Sequence, residues 1–137
     1  MKTSARNQFM GNVIECKSGA VMTEITVEVS SSVHICATVT NGSKESLDLQ
    51  VGQSVGAIIK ASSIILSKAQ LKATARNNIK GVVTDVIKGA VNSEVKMAVG
   101  ETTLCAIVTN ESIEDLAIAK GDSIYAIFKA SSVILLG

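Results

Sequence analysis

The sequence predicts an all-β fold made of two tandem five-stranded barrels, each with one short helix. Three observations predict it: a repeat covering nearly all 137 residues, apolar alternation with a period of two, and one order of segments in both copies.

The repeat has an offset of 70 that becomes 69 after a turn near Ser30–Ser32, with about 28 of roughly 62 aligned positions identical. Ser4-Ala5-Arg6-Asn7 pairs with Thr74-Ala75-Arg76-Asn77, Gly19-Ala20-Val21 with Gly89-Ala90-Val91, and Thr40-Asn41 with Thr109-Asn110. The longest block sets Ala57 to Ser63 against Ala126 to Ser132 and contains Lys60-Ala61-Ser62-Ser63 and Lys129-Ala130-Ser131-Ser132. Two domains follow, residues 1–67 and 73–137, joined by a linker over 68–72. The linker, Lys-Ala-Gln-Leu-Lys, lacks Gly and Pro, so the units should sit close together with little freedom.

Within the first copy, Phe9–Cys16 reads as a strand. Val21, Thr23, Ile25, Val27 and Val29 then alternate with Met22, Glu24, Thr26 and Glu28, as in a half-buried strand. Val33–Thr40 is a third strand. Ser43–Leu49 and Ser112–Ile118 space Leu and charge for one or two helical turns, each with a Ser as the expected cap. After Gly52 and Gly121 come Val55–Ile59 and Ser63–Leu66, echoed by Ile124–Phe128 and Ser132–Leu136. Apolar residues on both faces of these last strands call for cover on both sides, expected from a neighbouring subunit. Three strands, a helix and two strands in about 65 residues is the order of a Greek-key barrel of the OB type. One such unit is marginal alone, and association supplies further burial.

Composition excludes several functions. With 13 Lys plus Arg, 12 Asp plus Glu and a net charge of +1, the chain lacks a polyanion footprint. Phe9, Tyr125 and Phe128 are too few for base stacking, so nucleic acid is not an expected partner. No segment is apolar over a bilayer's thickness, and Met1–Phe9 is polar, so no membrane partner is expected. Cys16, Cys36 and Cys105 have no paired spacing, which suits a reducing cytoplasm. A mean hydropathy of +0.38 with 18% charged residues instead implies oligomerisation.

Polar residues present in both copies are the candidates for chemistry. Arg6/Arg76, Lys60/Lys129, Ser4/Thr74, Thr40/Thr109, Asn7/Asn77 and Ser62/Ser131 all donate hydrogen bonds, which suits an oxyanion pocket. The Gly-Ala-Val segments fit either tight turns or backbone nests for anions. Glu24 and Glu94 fit a solvated strand face or a subunit contact. His34 is matched by Thr103, so it reads as an exposed strand residue rather than a base. Cys36 and Cys105 read as small buried hydrophobes. Phosphate-loop and dinucleotide motifs, a nucleophile with a base, and recurring carboxylate pairs are all missing, so no enzyme is expected and no catalytic residue is assigned.

These four motifs, each occurring twice and in order, resemble the molbindin or Mop family in its tandem form, of the Mop/TOBE type. The resemblance implies a freestanding cytoplasmic protein that binds and stores molybdate, with tungstate as substitute. It implies a homotrimer of two-domain chains with anions at subunit interfaces. Carried over by motif, one site type uses Ser4, Arg6, Thr40, Lys60 and Ser62, with Thr74, Arg76, Thr109, Lys129 and Ser131 as its second set. Another type uses Gly19, Ala20 and Val21, with Gly89, Ala90, Val91 and Asn92 in the second copy. Met22 stands at the position equivalent to Asn92, so the two ends of the trimer are expected to differ. No metal cation is directly ligated. The alternative function is a molybdate-responsive module that signals to a protein partner. A donor-only pocket suits a fully deprotonated dianion and disfavours an oxyanion bearing a hydroxyl, whereas sulfate can be rejected only by size.

Overall fold

The computed structural model describes residues 2–137; Met1 lies outside the described residues. The first repeat forms β1 (Asn7–Ser18), β2 (Met22–Ser30), β3 (Val33–Thr40), α1 (Asn41–Ser46), β4 (Ser54–Ile59) and β5 (Ile65–Ser67). The second forms β6 (Asn77–Lys88), β7 (Asn92–Val99), β8 (Thr102–Thr109), α2 (Asn110–Leu116), β9 (Ser123–Phe128) and β10 (Ile134–Leu136). A single 3-10 turn, 61–63 or 130–132, precedes the last strand of each repeat.

The hydrogen-bonded sheets do not follow the repeats. One five-stranded sheet runs β10-β4-β1-β2-β3 and the other β5-β9-β6-β7-β8. Each repeat thus hands its last strand to the other: Leu135 pairs with Ala57, and Leu66 with Ala126. The 3-10 turns are the crossing points. The 61–63 turn packs on β8 and the 130–132 turn on β3, so each sheet curls until its edges meet through a turn. The exchanged strands bury Leu66 and Leu135 against the other repeat, while Ile65 and Ile134 on their outer faces stay exposed.

Two long strands make this curling possible. β1 pairs with β4 over Asn7–Asn12 and with β2 over Asn12–Ser18, so it passes from one wall of the barrel to the next. At that bend a Cβ on Gly11 would lie 2.4 Å from the Glu28 carbonyl oxygen, and one on Gly81 would lie 2.5 Å from that of Ala98. Only a residue without a side chain fits there.

The alternation expected in β2 is observed: Thr23, Ile25 and Val27 face the core, while Glu24 and Thr26 are half-buried on the other face. Apolar residues from both repeats join in one contiguous cluster, with Ile25, Val95, Met97 and Phe128 among its fully buried members.

The short helices are capped one turn earlier than expected. Thr40 and Thr109 are the caps, and their Oγ1 atoms accept from the backbone N–H of Ser43 at 3.0 Å and Ser112 at 3.1 Å. The Thr hydroxyl satisfies an amide that the helix cannot, which leaves Ser43 and Ser112 inside the first turn.

Candidate anion site

The register of β1 against β4 explains why two distant motifs repeat together. Asn7 lies opposite Ile59. Continuing that register sets Arg6 opposite Lys60 and Ser4 opposite Ser62. In the second sheet Asn77 lies opposite Phe128, so Arg76 and Lys129 each stand one residue beyond the last pair. Antiparallel pairing thus leads a guanidinium, an ammonium and two hydroxyls toward one place in the first repeat.

A cavity of about 560 Å³ opens at the first of these places. Ser4, Arg6, Lys60 and Ser62 line it, joined by Ser131 and Ser132 from the other crossing turn. Ile58, Ile107 and Ile134 supply its apolar wall. Every hydroxyl, guanidinium and ammonium here can donate, and the lining holds no carboxylate. Such a cavity can hold a small oxyanion through charge-assisted hydrogen bonds.

Thr40 and Thr109 do not line this cavity. Besides capping their helices, they close β3 and β8, the strands that pack on the opposite repeat's crossing turns. Thr109 instead lines a separate pocket with Ile64, Leu66 and Ser112.

The Gly-Ala-Val segments form the three-residue connections of the β1–β2 and β6–β7 hairpins. Gly19 N–H donates to the Met22 carbonyl at 2.8 Å, and Gly89 N–H to that of Asn92 at 2.9 Å. Asn41 holds the first turn by donating Nδ2–H to the Gly19 carbonyl at 3.0 Å, and Asn110 does the same for Gly89 at 2.9 Å. The Thr-Asn step is therefore a helix cap followed by a turn clasp. Val21 and Val91 project outward, 70% and 71% exposed.

Three sets of partners went unrecognised in the sequence. Arg6 is paired with Glu94, and Arg76 Nη2 donates to Glu24 Oε1 at 2.7 Å, each across the two repeats. Each glutamate thus lies partly buried on its strand against an arginine of the other repeat. Asn7 and Asn77, which recur among the donors common to both copies, are buried and clasp the other repeat's backbone at Cys105 and Cys36. The reciprocal recurrence of Glu with Arg was the available signal. His34 lies exposed on β3 with Nε2 at 3.1 Å from Glu28 Oε2.

Cys36 and Cys105 stay protonated above the ordinary thiol range, chiefly because burial penalises the thiolate and secondarily because Glu24 or Glu94 stands close. Neither is an activated nucleophile. Among the described residues no group of His, Cys, Asp and Glu could hold a metal cation. No described helix is long and apolar enough to cross a membrane.

The TOBE domain family matches residues 3–66 and again 73–135. The molybdenum transport protein ModE of Azotobacter vinelandii is 43% identical over 98% of the chain and 51% of its own length. The chain thus spans about half the length of the first curated relatives it matches. Molybdenum-pterin-binding protein 1 of Clostridium pasteurianum is 30% identical over 48% of the chain and 97% of its own length. Among solved structures, the cytoplasmic molybdate-binding protein ModG with molybdate bound superposes with a TM-score of 0.95 at 38% identity, covering 99% of both chains. The names of these relatives are those of transport and binding proteins. It belongs to the TOBE domain family and carries two domains of the Mop type in tandem.

Proposed function

We propose that this chain binds molybdate, with tungstate as a substitute, and stores it in the cytoplasm. The observation that carries this reading is the convergence of Arg6, Lys60, Ser4 and Ser62 on one cavity that has no acceptor carboxylate in its lining. Molybdate at neutral pH is a tetrahedral dianion with only acceptor oxygens, so a lining rich in donors and free of carboxylates matches it. Support also comes from the likeness to a cytoplasmic protein with molybdate bound.

The first site comprises Ser4, Arg6, Lys60 and Ser62, with Thr109 approaching from β8. The second comprises Thr74, Arg76 and Lys129, with Thr40 approaching from β3; Ser131, assigned to it by motif, lines the first cavity. A homotrimer would close these sites at subunit interfaces and cover outward residues such as Val21 and Val91. It would also gather the Gly19-Ala20-Val21 and Gly89-Ala90-Val91 turns, with Met22 or Asn92 beside them, into a second, largely backbone type of site. Nucleic acid and membranes have no part in this reading.

The test is calorimetric titration with molybdate, tungstate and sulfate, together with elemental analysis of the purified protein and its mass in solution. Binding of molybdate and tungstate by a three-chain species is expected. No molybdenum in the protein and no heat with molybdate would overturn the reading. A second reading, a molybdate-responsive module acting on a protein partner, is favoured by the half-length match to ModE proteins. Capture of a defined partner only with molybdate present would select it.

A further inference from the structure

We propose, on the reading that the cavity holds molybdate, that Glu94 and Glu24 are positioning residues for the anion-binding arginines of the opposite repeat. Glu94, on β7, fixes the guanidinium of Arg6, which precedes β1; Glu24, on β2, fixes that of Arg76, which precedes β6. Each anion site is thus completed by a carboxylate that never touches the anion.

The geometry distinguishes this arrangement from a carboxylate that competes for the site. Arg6 lines the cavity, and Glu94 does not. The Arg6 side chain is 59% exposed and that of Glu94 only 11%, so the carboxylate lies behind the guanidinium. Arg76 at 59% and Glu24 at 25% repeat the relationship. Register explains the location: Glu94 lies opposite Ile107, which forms part of the cavity wall. The other Glu94 oxygen faces Lys96 Nζ at 3.7 Å, so the near-buried carboxylate is balanced on both sides. One edge of the Arg6 fork is held by Glu94, and the remaining N–H groups stay free to meet an anion. A long side chain immobilised beforehand loses less freedom on binding than one that must be ordered by the ligand.

The crossed arrangement supplies the test. Molybdate titrations would be run on the full chain carrying Glu94→Ala, Arg6→Ala, Arg76→Ala and the two double variants that combine E94A with each arginine change. E94A is expected to weaken half of the arginine sites by about tenfold, the low end for removing a group that orients a ligand. In the R6A background E94A should cause no further loss, because its partner is gone. In the R76A background both halves should be weak. A generally destabilised fold would not follow that division. Glu94→Gln keeps an acceptor and the side chain's shape, so it should give a smaller loss confined to the same half, and it serves if E94A does not fold.

Binding by E94A or E94Q that equals or exceeds that of the unaltered chain would overturn the proposal, as would a further loss on adding E94A to R6A. Those outcomes leave molybdate binding itself intact. No heat with molybdate for the unaltered chain would overturn the function reading, and this inference with it.

Discussion

Asn7 holds both backbone groups of Cys105: Nδ2–H donates to the carbonyl at 2.8 Å, and Oδ1 accepts from the N–H at 2.7 Å. Asn77 grips Cys36 identically, with both distances 2.8 Å. Each side-chain amide thereby acts as a strand neighbour for a residue in the other sheet. Asn7→Ala or Asn77→Ala should cost about 2–3 kcal/mol, since each leaves a carbonyl and an amide without partners. Asn→Asp should also destabilise, because a carboxylate cannot donate to the carbonyl. Urea denaturation of the single variants measures both effects.

Gly11→Ala and Gly81→Ala should be among the most damaging small substitutions, each costing more than about 2 kcal/mol. The added carbon would press on a carbonyl oxygen at 2.4 or 2.5 Å, and backbone cannot move aside as a side-chain tip can. Gly52→Ala offers a contrast, since nothing lies within 4 Å of its added carbon and only the positive φ of 94° opposes it. The order of melting temperatures should follow this division.

Cys36 and Cys105 should react slowly with iodoacetamide in the folded protein and at ordinary rates once unfolded. Their raised titration keeps the unreactive thiol at neutral pH. The sign for stability follows: protonated thiols are favoured in the folded state, so this contribution is full below the unfolded thiol's pKa. It is lost as pH rises through the folded value. Mass spectrometry of labelled peptides across pH 7 to 10 checks the order.

Asp122 should contribute acid resistance. Its carboxylate accepts from the Ala119 N–H at 2.8 Å and lies 3.2 Å from Lys68 Nζ; these contacts, the backbone one first, hold its titration below the ordinary aspartate range. The stabilisation is present above the unfolded pKa and disappears as pH falls through the lower folded one. Asp122→Asn should flatten the acid limb of melting temperature against pH and leave the limb above pH 6 unchanged in shape.

Molybdate should raise the melting temperature of the full chain, because an anion held between Arg6 and Lys60 binds only the folded state. At a ligand concentration 100 times the dissociation constant the gain is about 2.7 kcal/mol per site. Thermal scans with and without molybdate, and with sulfate as control, measure it. The R6A variant should show a smaller increase.

Much of this architecture was legible in the residues. The repeat gave two equal units, the alternation from Thr23 to Val27 gave β2, and recurrence of Arg6 and Lys60 pointed to a shared place that the β1–β4 register creates. Strand exchange was not legible. Ile65-Leu66 and Ile134-Leu135 are the same dipeptide, so local pattern fits either strand to either sheet, and only the packing of the crossing turns decides. The Glu–Arg pairs were hidden for the same reason, since each joins residues from different repeats. The helix caps could have been found: Thr40 and Thr109 stand directly before the helical segments and are ordinary capping residues.

The exchanged strands impose an order on the birth of the protein. A ribosome releases residues from the N-terminus onward, and most domains can close soon after their last element emerges. Here β4 must wait for Ile134–Leu136 before its outer edge is covered, although it is made some 75 residues earlier. The barrel that begins first is therefore sealed last, and an interrupted chain carries an open sheet edge that can pair with another unfinished copy.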